Sequence, residues 1–216
     1  MRALVTVSRA GKRLTGIVCV ATLAVACGSS PTSSAPPSAQ ATPTTSLSVQ
    51  LVFTNWAPDP NVISGPEPGY KPALTGLTAH DIRRATAAID MTGSDWVINV
   101  LFTSRGADLF GQLTRDNVAA CTSPNTDCAE RHLAIWLDLT QTDIANWDDP
   151  SYAAKVSHPF DFACLAHTTA TNVCPKFVSD PVTLQEIDGG SVAIAAGFTQ
   201  QSAAELANAI NSASRA

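Results

Sequence analysis

The stretch that decides the fold is DWVINVLFTSRGADLFGQLTRDN, residues 95–117, because its apolar pattern changes period in the middle. Every second residue from Trp96 to Phe102 is large and apolar, which is the repeat of a strand with one covered face. After Ser104 the apolar residues fall three or four apart, which predicts an amphipathic helix. A strand that leads directly into a helix is common, so this pattern predicts structure without indicating a function.

The other patterns predict an α+β domain around this unit. The Thr78-x-x-Asp81 pair resembles a capping box, and the spacing that follows it predicts a helix ending near Gly93. A third helix is expected to begin at Thr199 or Ser202. Alternating residues predict further strands at 47–54 and 132–138, and KFVSDPVTLQEI (176–187) and GGSVAIAAG (189–197) resemble short strands. We therefore expect a two-layer sandwich, with a mostly antiparallel sheet and about three helices on one face.

The helix-free side of this sheet is a candidate partner-binding surface. Val97, Leu101 and Trp136 are predicted to lie there among polar residues, and a partly apolar surface of this kind is suited to contact another protein. The alternative is that residues 55–74 or the segment 139–176, which lacks sustained periodicity, fold over this side.

The N-terminus predicts export and attachment to a membrane. Four basic residues precede an uncharged run, residues 14–26, that is too short to span a bilayer, so residues 1–26 are predicted to be a signal peptide. Ala24-Val25-Ala26-Cys27 resembles a bacterial lipobox, and the resemblance implies that Cys27 carries the lipid. The alternative is an ordinary secretory signal followed by an incidental cysteine.

The rest of the chain then divides into a tether and one domain. Residues 28–45 hold no charge and no large apolar side chain, so residues 27–45 are predicted to be a disordered tether. Residues 46–216 are long enough for a single domain with a core. The protein is therefore expected on the extracytoplasmic face of the cell membrane.

Charge limits the possible partners. Without residues 1–26 the chain keeps nine basic and 18 acidic residues, a net charge of −9. Phosphate binding requires clustered lysine and arginine, so nucleic acid is not an expected partner. A neutral or cationic partner is easier to accommodate.

Four cysteines remain after Cys27, and an even number in an exported domain predicts two disulfide bonds. We favour the pairs Cys121–Cys128 and Cys164–Cys174, because each would close a loop rich in serine, threonine and asparagine. The other two pairings are possible in principle. A zinc site that includes His132, His158 or His167 is a further alternative, although these cysteine spacings lack the short knuckle of structural zinc sites.

The chain contains no sequence motif of a hydrolase, a metalloprotease or a nucleotide-binding loop. No catalytic residue, cofactor or metal is therefore assigned. One segment offers an alternative, because several of its side chains could bind a metal or act as an acid and a base. These side chains are Asp148, Asp149, His158, Asp161 and His167. Loops of exported proteins also carry such residues only for solubility.

Four blocks, in the correct order, resemble the head part of the large extracytoplasmic domain of SecD and SecF, accessory subunits of the bacterial export channel. They are LTGLTAHDIRRATAAID (74–90), WVINVLFTSRGADLFGQLTRDNV (96–118), LAIWLDL (133–139) and VSDPVTLQEIDGGSVAIAAGFTQQSAAELANAI (178–210). The resemblance implies a ferredoxin-like α+β fold. Leu139 stands where the family has a glycine after Leu-Asp, and the family pattern resumes only at Phe177, so residues 139–176 are expected to be an insertion at a hairpin tip.

The resemblance also implies a function. We expect a non-enzymatic lipoprotein that binds a polypeptide or an envelope protein and that has a link to protein export. The alternative is an envelope hydrolase or metal-binding lipoprotein with its site in the insertion 139–176.

Overall fold

The structure, a computed structural model, describes residues 48–63, 67–121, 128–167 and 172–216. The predicted signal peptide, Cys27 and the tether lie outside these residues. Within the described residues, no helix is both long enough and apolar enough to cross a membrane.

Seven strands and five α-helices form the described part of the chain, together with two short 3₁₀ turns at Ala79–Asp81 and Ala129–Arg131. The strands are β1 (Leu51–Pro58), β2 (Tyr70–Leu74), β3 (Ile82–Ile89), β4 (Trp96–Phe102), β5 (Ala134–Leu137), β6 (Phe177–Ser179) and β7 (Ser191–Phe198). The helices are α1 (Ser104–Ala120), α2 (Gln141–Ala145), α3 (Pro150–Val156), α4 (Phe162–Leu165) and α5 (Gln200–Ala213).

The strands form two antiparallel sheets, with the orders β2-β1-β5-β6 and β3-β4-β7. The predicted α+β class with antiparallel pairing is confirmed, although two sheets replace the single one that was expected. Both sheets and the two long helices contribute to one core. Phe53 of β1 contacts Phe102 of β4 and Phe110 of α1, with ring centroids 6.0 and 5.6 Å apart. The strand and the helix predicted from residues 95–117, which are β4 and α1, therefore both contribute to the centre of the core.

The helix predicted after Thr78 is wrong, because the chain forms β3 there. The capping box forms, but it begins only the 3₁₀ turn Ala79–Asp81. A β-bulge between Ile82 and Arg84 adds one residue to the strand. Ile82 and Ala85, both buried, are therefore three positions apart, which is the spacing of a helix.

Gly106, in the first turn of α1, permits a close approach of the preceding segment. Thr103 caps the helix by accepting a hydrogen bond from the Gly106 backbone N–H, at 3.1 Å. A Cβ at residue 106 would collide with the backbone carbonyl oxygen of Asp81. That carbonyl accepts the Thr103 N–H at 2.8 Å, so it cannot move without loss of this bond.

We expect Gly106→Ala to lower the free energy of unfolding by about 1–3 kcal/mol, the usual cost of overpacking. In an unobstructed helix the same change gains up to about 1 kcal/mol. Gly111→Ala is the matched control in the same helix, because its Cβ would lie 3.5 Å from the nearest atom, an ordinary contact. Urea denaturation of both variants tests this expectation, and equal stabilities would contradict it.

The segment 139–176, which the resemblance predicts to be an insertion and which we call the insertion below, is more regular than predicted, since its described residues contain α2, α3 and α4. Each helix is short and begins with a polar cap. Thr140 caps α2, Asp149 caps α3 and Asp161 caps α4 through side-chain hydrogen bonds to backbone N–H groups. Helices of four to seven residues show little periodicity, which is why the sequence pattern did not reveal them.

Both favoured disulfide pairs are present. Cys121 is bonded to Cys128 and Cys164 to Cys174, with S–S distances of 2.07 and 2.03 Å. The second bond lies inside the insertion and joins the end of α4 to the segment that leads into β6.

Candidate functional site

The predicted partner-binding surface is not formed as expected, because two of its three residues are buried. Trp136 of β5 has no exposed surface, since Trp147 of the insertion lies against it with ring centroids 5.5 Å apart. The alternative, that the insertion folds over this face, is therefore correct at Trp136. Val97 of β4 is 6% exposed, and only Leu101, at 36%, is exposed to a partner.

Val97 and Leu101 lie on one side of the three-stranded sheet, which we call the outer face. Side chains alternate along β4, so Ile98, Val100 and Phe102 enter the core while Val97, Asn99 and Leu101 point to the other side. The pairing register places Ala88 of β3 and Ala195 of β7 beside Val97. The outer face therefore consists mainly of small side chains, with Asn99 and Leu101 exposed.

β3 is an edge strand of the three-stranded sheet, and its contact with Asn211 of α5 shows which of its backbone groups face away from β4. The Asn211 side chain accepts a hydrogen bond from the Ala85 N–H at 2.7 Å and donates one to the Ala85 carbonyl at 2.8 Å. The backbone groups of Ala85 therefore point away from β4. By the alternation of a strand, those of Ala87 and Ile89 point the same way.

We call Ala87–Ile89 the free edge. Within the described residues, no hydrogen-bond partner is found for the outward N–H and C=O groups of Ala87 and Ile89. The Ile89 side chain is 54% exposed, and Met91 beyond it is 85% exposed. An edge strand with unpaired backbone groups and apolar side chains can pair with another chain.

The two ends of β3 carry opposite charges. Arg83 and Arg84 are exposed at its beginning, and the turn to β4 holds Asp90 and Asp95. A hydrogen bond from the Thr92 hydroxyl lowers the pKa of Asp90, and the backbone N–H groups of this turn add to the effect. Asp90 is therefore a fixed negative charge at this end of the free edge.

An open depression continues this surface at the beginning of α1. Its volume is about 540 Å³, and its lining includes Arg83, Leu101, Thr103, Ser104 and Gly190. Leu101 belongs both to the depression and to the outer face, so the two surfaces are continuous. Apolar, hydroxyl and cationic groups thus meet at one end of β3.

The metal or acid–base site suggested for the insertion is not assembled in the described residues. Asp149 and Asp161 accept backbone N–H groups as helix caps, and His158 and His167 are exposed. One group of three potential ligands is found in the described part, and none of its members belongs to the insertion. It consists of Glu67, His132 and Asp180.

Sequence reasoning missed the free edge and the Glu67–His132–Asp180 group. The segment of β3 was assigned to a helix, so no edge was expected there. Only the isoleucines and the threonine of β3, which favour strands, pointed to the correct structure. The members of the three-residue group lie on segments far apart in the chain, and no local pattern connects them.

The observed architecture defines a class, a two-sheet α+β domain with an accessible strand edge. The family model "SecDF, P1 head subdomain" matches residues 69–214, about two thirds of the chain. The chain therefore belongs to this family, and the resemblance found in the sequence is confirmed.

Two solved structures are similar to this chain at 19% sequence identity. One, described as a membrane component SecDF that enhances protein export, matches 77% of this chain and 64% of its own, with a TM-score of 0.47. The other, SecDF in its super-membrane-facing form, matches 77% of this chain and 19% of its own, with a TM-score of 0.45. The match thus spans less than two thirds of either solved chain. No curated protein matches the sequence.

Proposed function

We propose that this protein is a non-enzymatic binding domain of the cell envelope that takes up an extended polypeptide at the free edge Ala87–Ile89. The observation that carries the proposal is that, in the part of the chain that the structure describes, the outward N–H and C=O groups of Ala87 and Ile89 have no hydrogen-bond partner. The family match and the export role named for a similar structure support polypeptide in transit as the partner.

Strand addition suits a partner of variable sequence. An added strand gains its affinity from main-chain hydrogen bonds, which every polypeptide except at proline can make. Asn211 already occupies the edge position next to Ala85, so the added strand would begin at Ala87. Ile89 and Met91 provide exposed apolar contacts for its side chains. The binding surface is therefore short, and the expected affinity is modest.

The anchor is part of the same proposal. Cys27 follows the lipobox-like residues 24–26, and we propose that it carries the lipid that holds the domain at the extracytoplasmic face of the membrane. Two or more acyl chains bind a bilayer stably, because each buried CH₂ contributes about 0.8 kcal/mol. The net charge of −9 without the signal peptide favours a neutral or cationic polypeptide over an acidic one.

Ala87→Pro tests the proposal, because proline removes the outward N–H and leaves the N–H groups that face β4. We expect it to weaken binding of a fluorescently labelled, unfolded secretory polypeptide by about tenfold or more, measured by anisotropy with the full chain in detergent. Ala87→Ser keeps the N–H at a similar size and should bind like the wild type.

A second variant covers the possibility that Ala87→Pro disturbs the fold. Ile89→Lys leaves the backbone intact and places a charge on the edge, which disfavours pairing with another strand. It should also weaken binding, and circular dichroism of each variant verifies the fold. The proposal is overturned if the wild type does not bind unfolded polypeptide, or if folded Ala87→Pro and Ile89→Lys bind as the wild type does.

A further inference from the structure

Three potential metal ligands from distant parts of the chain meet beside the four-stranded sheet. Nδ1 of His132 lies 2.8 Å from Oδ2 of Asp180 and 3.5 Å from Oε1 of Glu67. One ligand atom from each of the three residues lies within 4.8 Å of the other two. All three side chains are partly buried, with exposures between 14% and 25%.

The backbone holds two of these ligands in place. His132 and Val182 form an antiparallel bridge, and the Leu133 N–H donates to the Pro181 carbonyl at 3.0 Å. His132 and Asp180 are therefore attached to backbone segments that are hydrogen-bonded to each other on both sides of the pair. Such a pair is positioned before any ligand binds.

The Asp180 carboxylate has a further partner that fixes its orientation. The indole N–H of Trp56, a buried residue of β1, donates to Oδ1 of Asp180 at 3.1 Å. Oδ2 is thereby directed toward His132. Hydrogen bonds of this kind, from a neighbouring residue to a ligating carboxylate, are typical of metal sites and raise their affinity.

Glu67 approaches from the turn between β1 and β2. The Tyr70 N–H donates to the Glu67 carbonyl at 3.1 Å, and the Gly69 N–H donates to the Val62 carbonyl at 2.8 Å. The Tyr70 hydroxyl donates to Glu130 at 3.1 Å, which brings another carboxylate into the neighbourhood. The potential ligand set itself holds two carboxylates, those of Glu67 and Asp180, whose negative charges a divalent cation would neutralise.

We propose that Glu67, His132 and Asp180 bind a divalent metal ion of the zinc class. Imidazole nitrogen and carboxylate oxygen are ligands that Zn²⁺ accepts at about 2.0–2.2 Å. A tetrahedral site at these bond lengths separates its ligand atoms by roughly 3.3 Å, which is close to the 3.5 Å between His132 and Glu67. The 2.8 Å contact between His132 and Asp180 is a hydrogen bond in this structure, so the metal would replace its proton and the two atoms would separate by roughly 0.5 Å. Three protein ligands leave one position for water or for a group from a partner.

Such a metal would connect the turn between β1 and β2 to the segments that flank β5 and β6. It would therefore stabilise the folded state in proportion to its occupancy. The site is separate in sequence from the free edge Ala87–Ile89, so the metal proposal does not depend on the proposed polypeptide binding.

Titration of the full chain with Zn²⁺ tests the proposal. The chain is purified without a histidine tag, treated with a chelator and titrated in detergent by calorimetry. We expect saturable one-to-one binding and a rise in Tm. Co²⁺ in the same site should give the visible absorption of a four-coordinate site with nitrogen and oxygen ligands.

Variants assign the site. His132→Ala and Glu67→Gln should abolish the one-to-one binding, and Glu67→Gln, in a turn, is the variant that disturbs the fold least. His158→Ala and His167→Ala, exposed histidines of the insertion, are the matched controls and should bind as the wild type does. The proposal is overturned by an absence of saturable binding, by wild-type binding of folded Glu67→Gln, or by loss of binding in the two controls.

Discussion

Replacement of Lys176 by methionine is expected to lower the free energy of unfolding by about 3–5 kcal/mol, the usual cost of leaving one member of a buried ion pair alone. Nζ of Lys176 lies 2.7 Å from Oδ2 of Asp143 and 2.8 Å from the Asp138 carbonyl oxygen. Both charged side chains are less than a tenth exposed. The pair joins α2 of the insertion to the residue before β6, so its loss should loosen the insertion.

The double variant Lys176→Met/Asp143→Asn is the control for this prediction. It removes both charges, and removal of a whole buried pair costs much less than removal of one partner. Urea denaturation of the wild type and both variants provides the comparison. If the double variant is as unstable as the single one, the isolated carboxylate is not the cause.

The pH dependence of stability gives a second readout of the same pair. Burial alone would raise the pKa of Asp143, but the hydrogen bonds from Lys176 and Thr140 outweigh it, so the pKa is lowered. A lowered carboxyl pKa contributes stability above the unfolded pKa of about 3.9, and this contribution is lost as pH falls through the folded pKa. The wild type should therefore lose more stability in acid than the double variant does.

Asp138 next to this pair titrates with the opposite sign. Burial raises its pKa, although its carboxylate accepts the Gln50 N–H at 2.7 Å. A raised carboxyl pKa contributes stability below the unfolded value that is lost as pH rises through the folded one. Because Asp138 is present in the wild type and in the double variant, the difference between their acid profiles reports mainly on Asp143.

Replacement of Trp147 by alanine is the second large effect, with an expected loss of about 3–5 kcal/mol. The side chain is 1% exposed, and its ring lies 5.5 Å from that of Trp136 and 6.3 Å from that of Trp56. These three rings form the centre of a second core between the insertion and the four-stranded sheet. Alanine would remove the cover of Trp136, which should shift the tryptophan emission of the folded protein to longer wavelength.

Trp147→Phe is the matched control, because it keeps an aromatic ring in the same place. Within the described residues, no acceptor is found for the buried indole N–H of Trp147. Phenylalanine removes this unsatisfied donor, which offsets part of the lost ring volume. We expect a change of about 1 kcal/mol or less for Trp147→Phe. Equal losses for both variants would show that the ring packing does not hold the insertion.

Local patterns predicted the parts of the fold in which neighbours in sequence are also neighbours in space. The alternation of residues 96–102 and the helical spacing after Ser104 gave β4 and α1 correctly. Cys121–Cys128 and Cys164–Cys174 close short loops, so the nearest-neighbour pairing was also correct. In each case the interaction depends on a few consecutive residues.

The same reasoning failed where a distant part of the chain changed the meaning of a pattern. The bulge in β3 produced a helical spacing, and only the pairing of seven residues of β3 with β4 shows that the segment is a strand. Trp136, predicted on the helix-free side of the sheet, does lie on the side of β5 opposite Ile135 and Leu137, which enter the main core. Its burial depends on Trp147, eleven residues further on, and no pattern in either segment predicts this contact.

By itself, the sequence of this protein determined the α+β class, the antiparallel pairing, the disulfide pairs and the family. Each of these depends on local periodicity, short loops or the order of blocks along the chain. Only the tertiary structure decided that the insertion covers Trp136, that β3 keeps the free edge Ala87–Ile89, and that Glu67, His132 and Asp180 meet. Those contacts join residues tens of positions apart in most cases, and they form because burial and hydrogen bonding select one packing among many that the same local patterns allow.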